Sequence, residues 1–329
     1  MGPLLFEPYF RPQVWGGRRL ESVLGKQLPP SGQFGESWEL SAHPLHISRL
    51  RNQEFAGQDL ATLWDQSKQQ LWGPSQLAPP TFPWLVKFLD CEDYLSIQVH
   101  PDDKTTSQFI PSERGKTEVW VIVSAEPGAR VFIGLKPHVT REYLRHAIQT
   151  GQPETCLNVF TPRPGDIFFI PPGTVHSAGG GVVLAEIQTS SDATFRMYDW
   201  NRLDSNGLPR PLHIEAAFHA IDWEPHVCGL IQNPRRMAAA GWESQVAAST
   251  QDFHVESWQI APGTEVQVPG MGMTIVVVLS GTIVLEANES SPMTLQRGET
   301  VLIPACITPV RCWAQHDLPA NLLVCSPPR

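Results

Sequence analysis

PGDIFFIPPGTVH, residues 164–176, reads as a short strand bracketed by turns. Gly165 permits the entry turn, and Asp166 to Ile170 runs as an apolar strand. Pro171, Pro172 and Gly173 then shape a tight bend that sets His176 facing inward. The spacing is G-x5-P-x-G-x2-H. It recurs in RGETVLIPACITP, residues 297–309, where Gly298, Glu299 and Pro304 are retained, Cys306 replaces the glycine and Pro309 replaces the histidine. Two copies of one β-unit are therefore present, and only the first keeps its imidazole.

Working outward, the neighbouring apolar runs are short and separated by turn residues. WLVKFLD (84–90), YLSIQVH (94–100), EVWVIVS (118–124), ARVFIGL (129–135) and VVLAEIQT (182–189) are predicted strands. FHVESWQI, GTEVQVPG, MTIVVVLSGTIVLEA, ETVLIP and ANLLVCS form a second β-rich block after mixed sequence from Glu224 to about Ser249. Such runs imply a sandwich or a barrel. Helices are few. Asp59 to Trp72 carries Leu60, Leu63, Trp64 and Leu71 at helical spacing, Thr140 caps a helix running to Gly151, and Pro211 suits the first turn of PLHIEAAFHAIDW.

The chain has 329 residues, 41% hydrophobic and 17% charged, which fits an ordinary globular protein of two domains. A formal net charge of −9 argues against a nucleic-acid partner, because phosphate backbones require a basic surface. An anionic small substrate would need local Lys and Arg against that field. No apolar run is long enough to span a membrane, and the N-terminal MGPLLFEPYFRPQVWGG is not a secretory signal. The six cysteines form no C-x-x-C pair and read as reduced thiols of a cytoplasmic protein.

LSIQVHPDD, Leu95–Asp103, alternates apolar Leu95, Ile97 and Val99 with Ser96, Gln98 and His100. A strand with this alternation projects a hydroxyl, an amide and an imidazole from one face, although a half-exposed strand with its polar side in water shows the same pattern. GKTEVWVIV, Gly115–Val123, places Lys116 and Glu118 on one strand face, as a surface ion pair would also do. The pattern around Gly165 resembles the second motif of the cupin superfamily, a small β-barrel that commonly holds a metal between its sheets. Gln98, His100, Glu118 and His176 together supply two nitrogens and two oxygens, a set suited to zinc.

With WGGRRL (15–20), GESWELSAHP (35–44), PWLVKFLD (83–90), GDIFFIPPGTVHSAGGGVVLAEIQTSSDATFRMYDWNR (165–202) and PLHIEAAFHAID (211–222) added, the chain resembles the type I mannose-6-phosphate isomerases in their short bacterial form. The resemblance covers roughly the first two-thirds of the chain. It implies a mainly β fold of two cupin-like jelly-roll β-barrels with a few short helices. Residues 1–225 would be the catalytic metal-binding domain, and 226–329 a degenerate, metal-free one. It implies a zinc enzyme interconverting mannose 6-phosphate and fructose 6-phosphate, with one Zn2+ per chain on Gln98, His100, Glu118 and His176. Lys87 and Ser96 match substrate-phosphate positions. Lys116, Glu186, Asp192 and Arg196 match positions around the reacting sugar, and Arg196 is the arginine held to be catalytic. Only 58 positions separate Glu118 from His176, so the helical domain of longer members is absent. Gly115 stands where some members carry a histidine.

Aldose–ketose isomerisation through a cis-enediol needs one base and a partner for the developing negative charge. Lys116, Glu186 and Asp192 all remain open as the base. Arg196 suits the oxyanion, or else a structural ion pair with Asp192 or Asp199. Two competing readings are a ferrous oxygenase built on two histidines and one glutamate, and a non-catalytic sugar-phosphate-binding regulator. His43 and His46 read as structural, and His213 and His219 do not share a helical face.

Overall fold

The strand Trp84–Cys91 shows how these residues build layers. Leu89 and Cys91 point into one core with Trp120, Ile122 and Leu184, while Val86 and Phe88 point into another with Val119, Val121 and Ile187. A strand covered on both faces must be apolar at nearly every position, which is why WLVKFLD reads as an almost continuous run. The computed structural model describes residues 1–329 except 53–54, 75–76, 205, 225, 233, 271, 288–290, 308 and 316.

Trp84–Cys91 lies in a seven-stranded antiparallel sheet. Its order is Gly229–Leu230, Ile167–Ile170, Glu118–Ala125, Val182–Thr189, Trp84–Cys91, Phe34–Leu40, Tyr9–Gly17. A five-stranded sheet (Leu157–Phe160, Arg130–Leu135, His176–Gly179, Ile97–Val99, Phe195–Tyr198) packs on its inner face through Val131, Ile133 and Ala178. The second half repeats the plan. Leu4–Leu5, Thr300–Ile303, Thr274–Ser280, Ala320–Ser326, His254–Ile260, Trp242–Ser249 and Arg236–Ala239 form a second seven-stranded sheet. It faces four strands, Glu265–Val268, Val310–Ala314, Thr282–Ala287 and Met293–Gln296. The two copies of the repeated motif, Ile167–Ile170 and Thr300–Ile303, each hold the second place in their sheet.

The expected closed jelly-roll barrels are not formed. Closure requires the two edge strands of a sheet to hydrogen-bond to each other. Here every sheet ends in separate edges, with five strands between Gly229–Leu230 and Tyr9–Gly17 in the first. The Tyr9–Gly17 edge carries Pro12, and its register against Phe34–Leu40 shifts on both sides of that proline. A residue without an N–H on a bulged edge stops the ladder from continuing round. Each half is a pair of facing sheets, open at the ends.

The halves exchange edges. Leu4–Leu5 pairs with Leu302 and Val301 in the second half, whereas Gly229–Leu230 pairs with Phe169 and Phe168 in the first. One continuous core joins them, running from Val86 and Phe88 through Leu20, Trp64 and Trp72 to Phe253, Ile275 and Leu323. The helix Leu60–Trp72 contributes those tryptophans. The helix falls where the spacing over Asp59 to Trp72 predicts it, and Asp59 caps it by accepting from the Thr62 N–H at 2.7 Å. Thr140 likewise caps Arg141–Gln149. The Pro211 expectation fails: the helix is Ile214–Ala220, because residues 211–213 bond to the neighbouring strand instead. The Pro211 carbonyl accepts from Arg196 Nη1 at 2.9 Å, and the His213 N–H donates to the Arg196 carbonyl at 2.7 Å.

In the second half, buried Glu256 accepts from His254 Nε2 at 2.9 Å, Trp258 Nε1 at 2.7 Å and Ser244 Oγ at 3.1 Å, and pairs with Arg329 at 2.9 Å. Burial alone would raise its pKa, but the hydrogen bonds from His254 and Trp258 and the Arg329 charge bring it to about 2. An unfolded glutamate protonates near 4.3. Between those values the unfolded chain binds a proton that the folded chain does not, so this stabilisation is complete above the window and is lost as pH falls through it. Chemical denaturation at pH 6 and pH 3 checks this. The stability difference between the two pH values is expected to shrink in Glu256→Gln, and an unchanged difference contradicts the assignment.

Candidate metal centre and active site

Strand register places the functional side chains in two rows. On the five-stranded sheet His176 pairs directly with Gln98, and Gln98 with Arg196. On the seven-stranded sheet Trp120 pairs with Glu186, Glu186 with Lys87, and Lys87 with Trp38. Residues directly opposite across a ladder share a face. Each row therefore points one way, and both rows contribute to one polar cavity of about 360 Å³ lined by Lys87, Ser96, Gln98, Lys116, Glu118, Glu186, Asp192 and Arg196. The structure thus gathers eight of the ten sequence-predicted residues on that cavity. The other two, His100 and His176, are buried beside Glu118.

The ligating atoms of His100, Glu118 and His176 lie within 4.8 Å of one another, the one such cluster among the described residues. His100 Nδ1 donates to the Ala193 carbonyl at 2.8 Å, and His176 Nδ1 donates to the Thr174 carbonyl at 2.9 Å. Those bonds leave a lone pair on each Nε2. His100 Nε2 sits 3.1 Å from Glu118 Oε1, and His176 Nε2 sits 3.6 Å from Oε2. His100 Nε2 and Glu118 Oε2 have no hydrogen-bond partner despite full burial. The unsatisfied His100 Nε2 and Glu118 Oε2 are both acceptors, an arrangement that a bound cation would satisfy. Burial and the neighbouring His100 push the His176 imidazole down to about 3, keeping it neutral. Two imidazole nitrogens and a carboxylate fit zinc, and the Gln98 side chain stands beside them with its amide nitrogen 3.3 Å from His176 Nε2.

Lys116 Nζ lies 2.8 Å from Glu118 Oε1. Burial alone would lower its pKa, but Glu118, Glu186 and Asp192 raise it, so it stays cationic. Glu186 moves oppositely: burial and the Glu118 charge raise its carboxyl against the opposing pull of Lys87 and Lys116. Trp120 Nε1 donates to Glu186 Oε2 at 2.8 Å, and Lys87 lies 3.6 Å from Oε1. Burial would raise Asp192, yet Lys87, Lys116 and Arg11 lower it, and Arg11 reaches it at 3.5 Å. Arg196 makes no ion pair among the described residues: neither Asp192 nor Asp199 takes it, and Asp199 is occupied by Arg202 and Arg210. Its Nε is buried without a partner.

Sequence reasoning missed Glu36, Trp120, Arg11 and Arg210. Glu36 lies 3.4 Å from Lys87 and accepts from Trp38 Nε1 at 2.6 Å, while Arg11 and Arg210 line the cavity. The signal for Glu36 was GESWEL itself, a strand buried along its whole length that still carries carboxylates. His43 stays outside the cluster, donating from Nε2 to Glu113 at 3.0 Å, and His46 stacks on Tyr9. His213 and His219 bond to backbone groups of Arg196 and Glu215.

A buried, acceptor-rich His/Glu/His cluster in a cavity lined by lysine, arginine and carboxylate, on facing antiparallel sheets, defines a metal-binding enzyme site. The model of the phosphomannose isomerase type I catalytic domain matches residues 4–130. A mannose-6-phosphate isomerase of Streptococcus mutans is 34% identical, the match covering 93% of each chain. The mannose-6-phosphate isomerase ManA of Bacillus subtilis is 37% identical over 67% of this chain and 68% of its own. The crystal structure of the Bacillus subtilis mannose 6-phosphate isomerase superposes with a TM-score of 0.88 at 31% identity, covering 99% of both chains. The chain belongs to the type I phosphomannose isomerase family.

Proposed function

We propose that the cavity interconverts mannose 6-phosphate and fructose 6-phosphate through a cis-enediol, with one Zn2+ per chain held by His100, Glu118, His176 and Gln98. The observation that carries this reading is the pair of facing rows, which brings a metal cluster, a raised carboxyl and an unpaired guanidinium onto one cavity. A zinc ion held by these residues would supply Lewis-acid stabilisation of the developing enediolate charge.

Glu186 is assigned as the base that lifts the C2 proton and returns it to C1. Its raised carboxyl suits proton transfer near neutral pH better than lowered Asp192 or cationic Lys116. Trp120 and Lys87 hold its two oxygens in place. Lys116 offsets the charge of Glu118, and Asp192, anchored by Arg11, faces the sugar hydroxyls. Arg196 meets the developing negative charge. Ser96 is the proposed phosphate contact, with Lys87 adding positive charge from between Glu36 and Glu186 and Arg210 from the cavity wall.

All these residues fall within 1–225, which we assign to catalysis, leaving 226–329 as a structural half without a metal. The six cysteines are free, which supports a reducing, cytoplasmic setting. No helix among the described residues is long and apolar enough to cross a membrane.

Isomerisation followed by NMR in D2O tests this reading. Mannose 6-phosphate is expected to give fructose 6-phosphate, and reversibly, with solvent deuterium entering at carbon-bound C1. No fructose 6-phosphate, or turnover that takes up no deuterium, contradicts it.

A further inference from the structure

The junction between the two halves does not leave the metal centre. It runs beneath the bend that carries His176. The Asp222 N–H donates to the Gly173 carbonyl at 3.0 Å, His226 Nε2 and the Thr174 hydroxyl are hydrogen-bonded at 2.8 Å, and Gly229–Leu230 then joins the sheet edge. Contact is close: a Cβ on Gly173, whose φ is +82°, would meet the Asp222 backbone nitrogen at 2.8 Å. The bend in turn touches both histidines of the cluster. The Gly173 N–H donates to the His100 carbonyl at 2.8 Å, and the Thr174 carbonyl accepts from His176 Nδ1 at 2.9 Å. The His226 ring is itself oriented, with Nδ1 donating to the Glu224 carbonyl at 3.0 Å and lying 3.3 Å from Asp222 Oδ2.

We propose that His226 is a positioning residue for the metal centre. It pins the Thr174 side chain, and so fixes the Thr174 carbonyl that holds the His176 ring with Nε2 toward the metal. The inference rests on His100, Glu118 and His176 being the zinc ligands. A hydrogen-bond partner of a ligating imidazole fixes its tautomer and orientation, and losing such a partner lowers metal affinity by about 10–100-fold. His226 acts one bond further out, through a hydroxyl on the same residue that supplies the carbonyl.

Zinc affinity by chelator competition tests this in the full chain, His226→Ala, Thr174→Val, Thr174→Ser and the Thr174→Val/His226→Ala double variant. His226→Ala and Thr174→Val keep the Thr174 carbonyl and are each expected to bind zinc more weakly by up to about 10-fold, the lower end of the loss for a direct partner. Thr174→Ser, which keeps the hydroxyl, is expected to match the parent, and the double variant to be no weaker than either single one. KM for sugar phosphate at saturating zinc is expected to stay unchanged. Unaltered affinity in His226→Ala, or losses that multiply in the double variant, overturns the proposal. So does full affinity in Thr174→Val, which decides the matter if His226→Ala does not fold. Failure of the parent chain to bind zinc removes the underlying ligand assignment, whereas tight parent binding with unaffected variants removes only the role of His226.

Discussion

Replacing Glu186 by Gln is expected to lower kcat by about 10²–10⁴-fold, the range lost with a positioned general base. The amide keeps the volume and accepts the Trp120 N–H that Glu186 Oε2 accepts at 2.8 Å, so the fold and the row of side chains persist. What disappears is the ability to take the C2 proton. KM is expected to change far less than kcat, since the loss falls on the transition state. Steady-state kinetics on protein with confirmed zinc content checks the outcome. Near-normal kcat would move the base to Asp192, because Lys116 is committed to Glu118 at 2.8 Å.

Arg196→Lys is expected to lose about 10²–10³-fold in kcat, as removal of a single oxyanion donor typically does. Arg196 stands beside Gln98 in the ladder and lines the cavity without a carboxylate partner among the described residues. Burial and nearby Arg210 lower its pKa, a cost that an unpaired guanidinium recovers when anionic charge appears before it. Lysine keeps a charge but not the planar fork. Zinc content and thermal stability are expected to stay normal. A lysine variant with near-normal kcat would reduce Arg196 to its bond with the Pro211 carbonyl, 2.9 Å long, which ties down the segment before the last helix of the first half.

The parts of the site that were legible in the sequence are those written in local chemistry. Alternation in LSIQVH and GKTEV fixes which side chains share a face, and the Pro-Pro-Gly bend marks where His176 turns inward. Period-2 patterning cannot say which strand lies beside which, so the row from Trp120 through Glu186 and Lys87 to Trp38 emerges only from the ladder. Trp38, at the end of that row, holds Glu36 by donating from Nε1. Barrel closure was misjudged because it depends on edges, and the Pro12 edge gives no sign in sequence of how far its sheet continues. The pairing of Leu4 with Leu302 joins residues almost a chain length apart, which no local signal encodes. His226 was invisible for a related reason: it sits in mixed sequence that reads as a junction, yet packs on the catalytic bend.

The central claim is that one zinc ion at His100, Glu118 and His176 makes this cavity an isomerase. Its most direct test is to strip the protein of metal and titrate zinc back while following conversion of mannose 6-phosphate. Turnover is predicted to be absent at the start, to rise in proportion to added zinc and to level off at one equivalent per chain, with no recovery in His176→Ala. Full turnover in the stripped protein, or a plateau at two equivalents, would contradict the account.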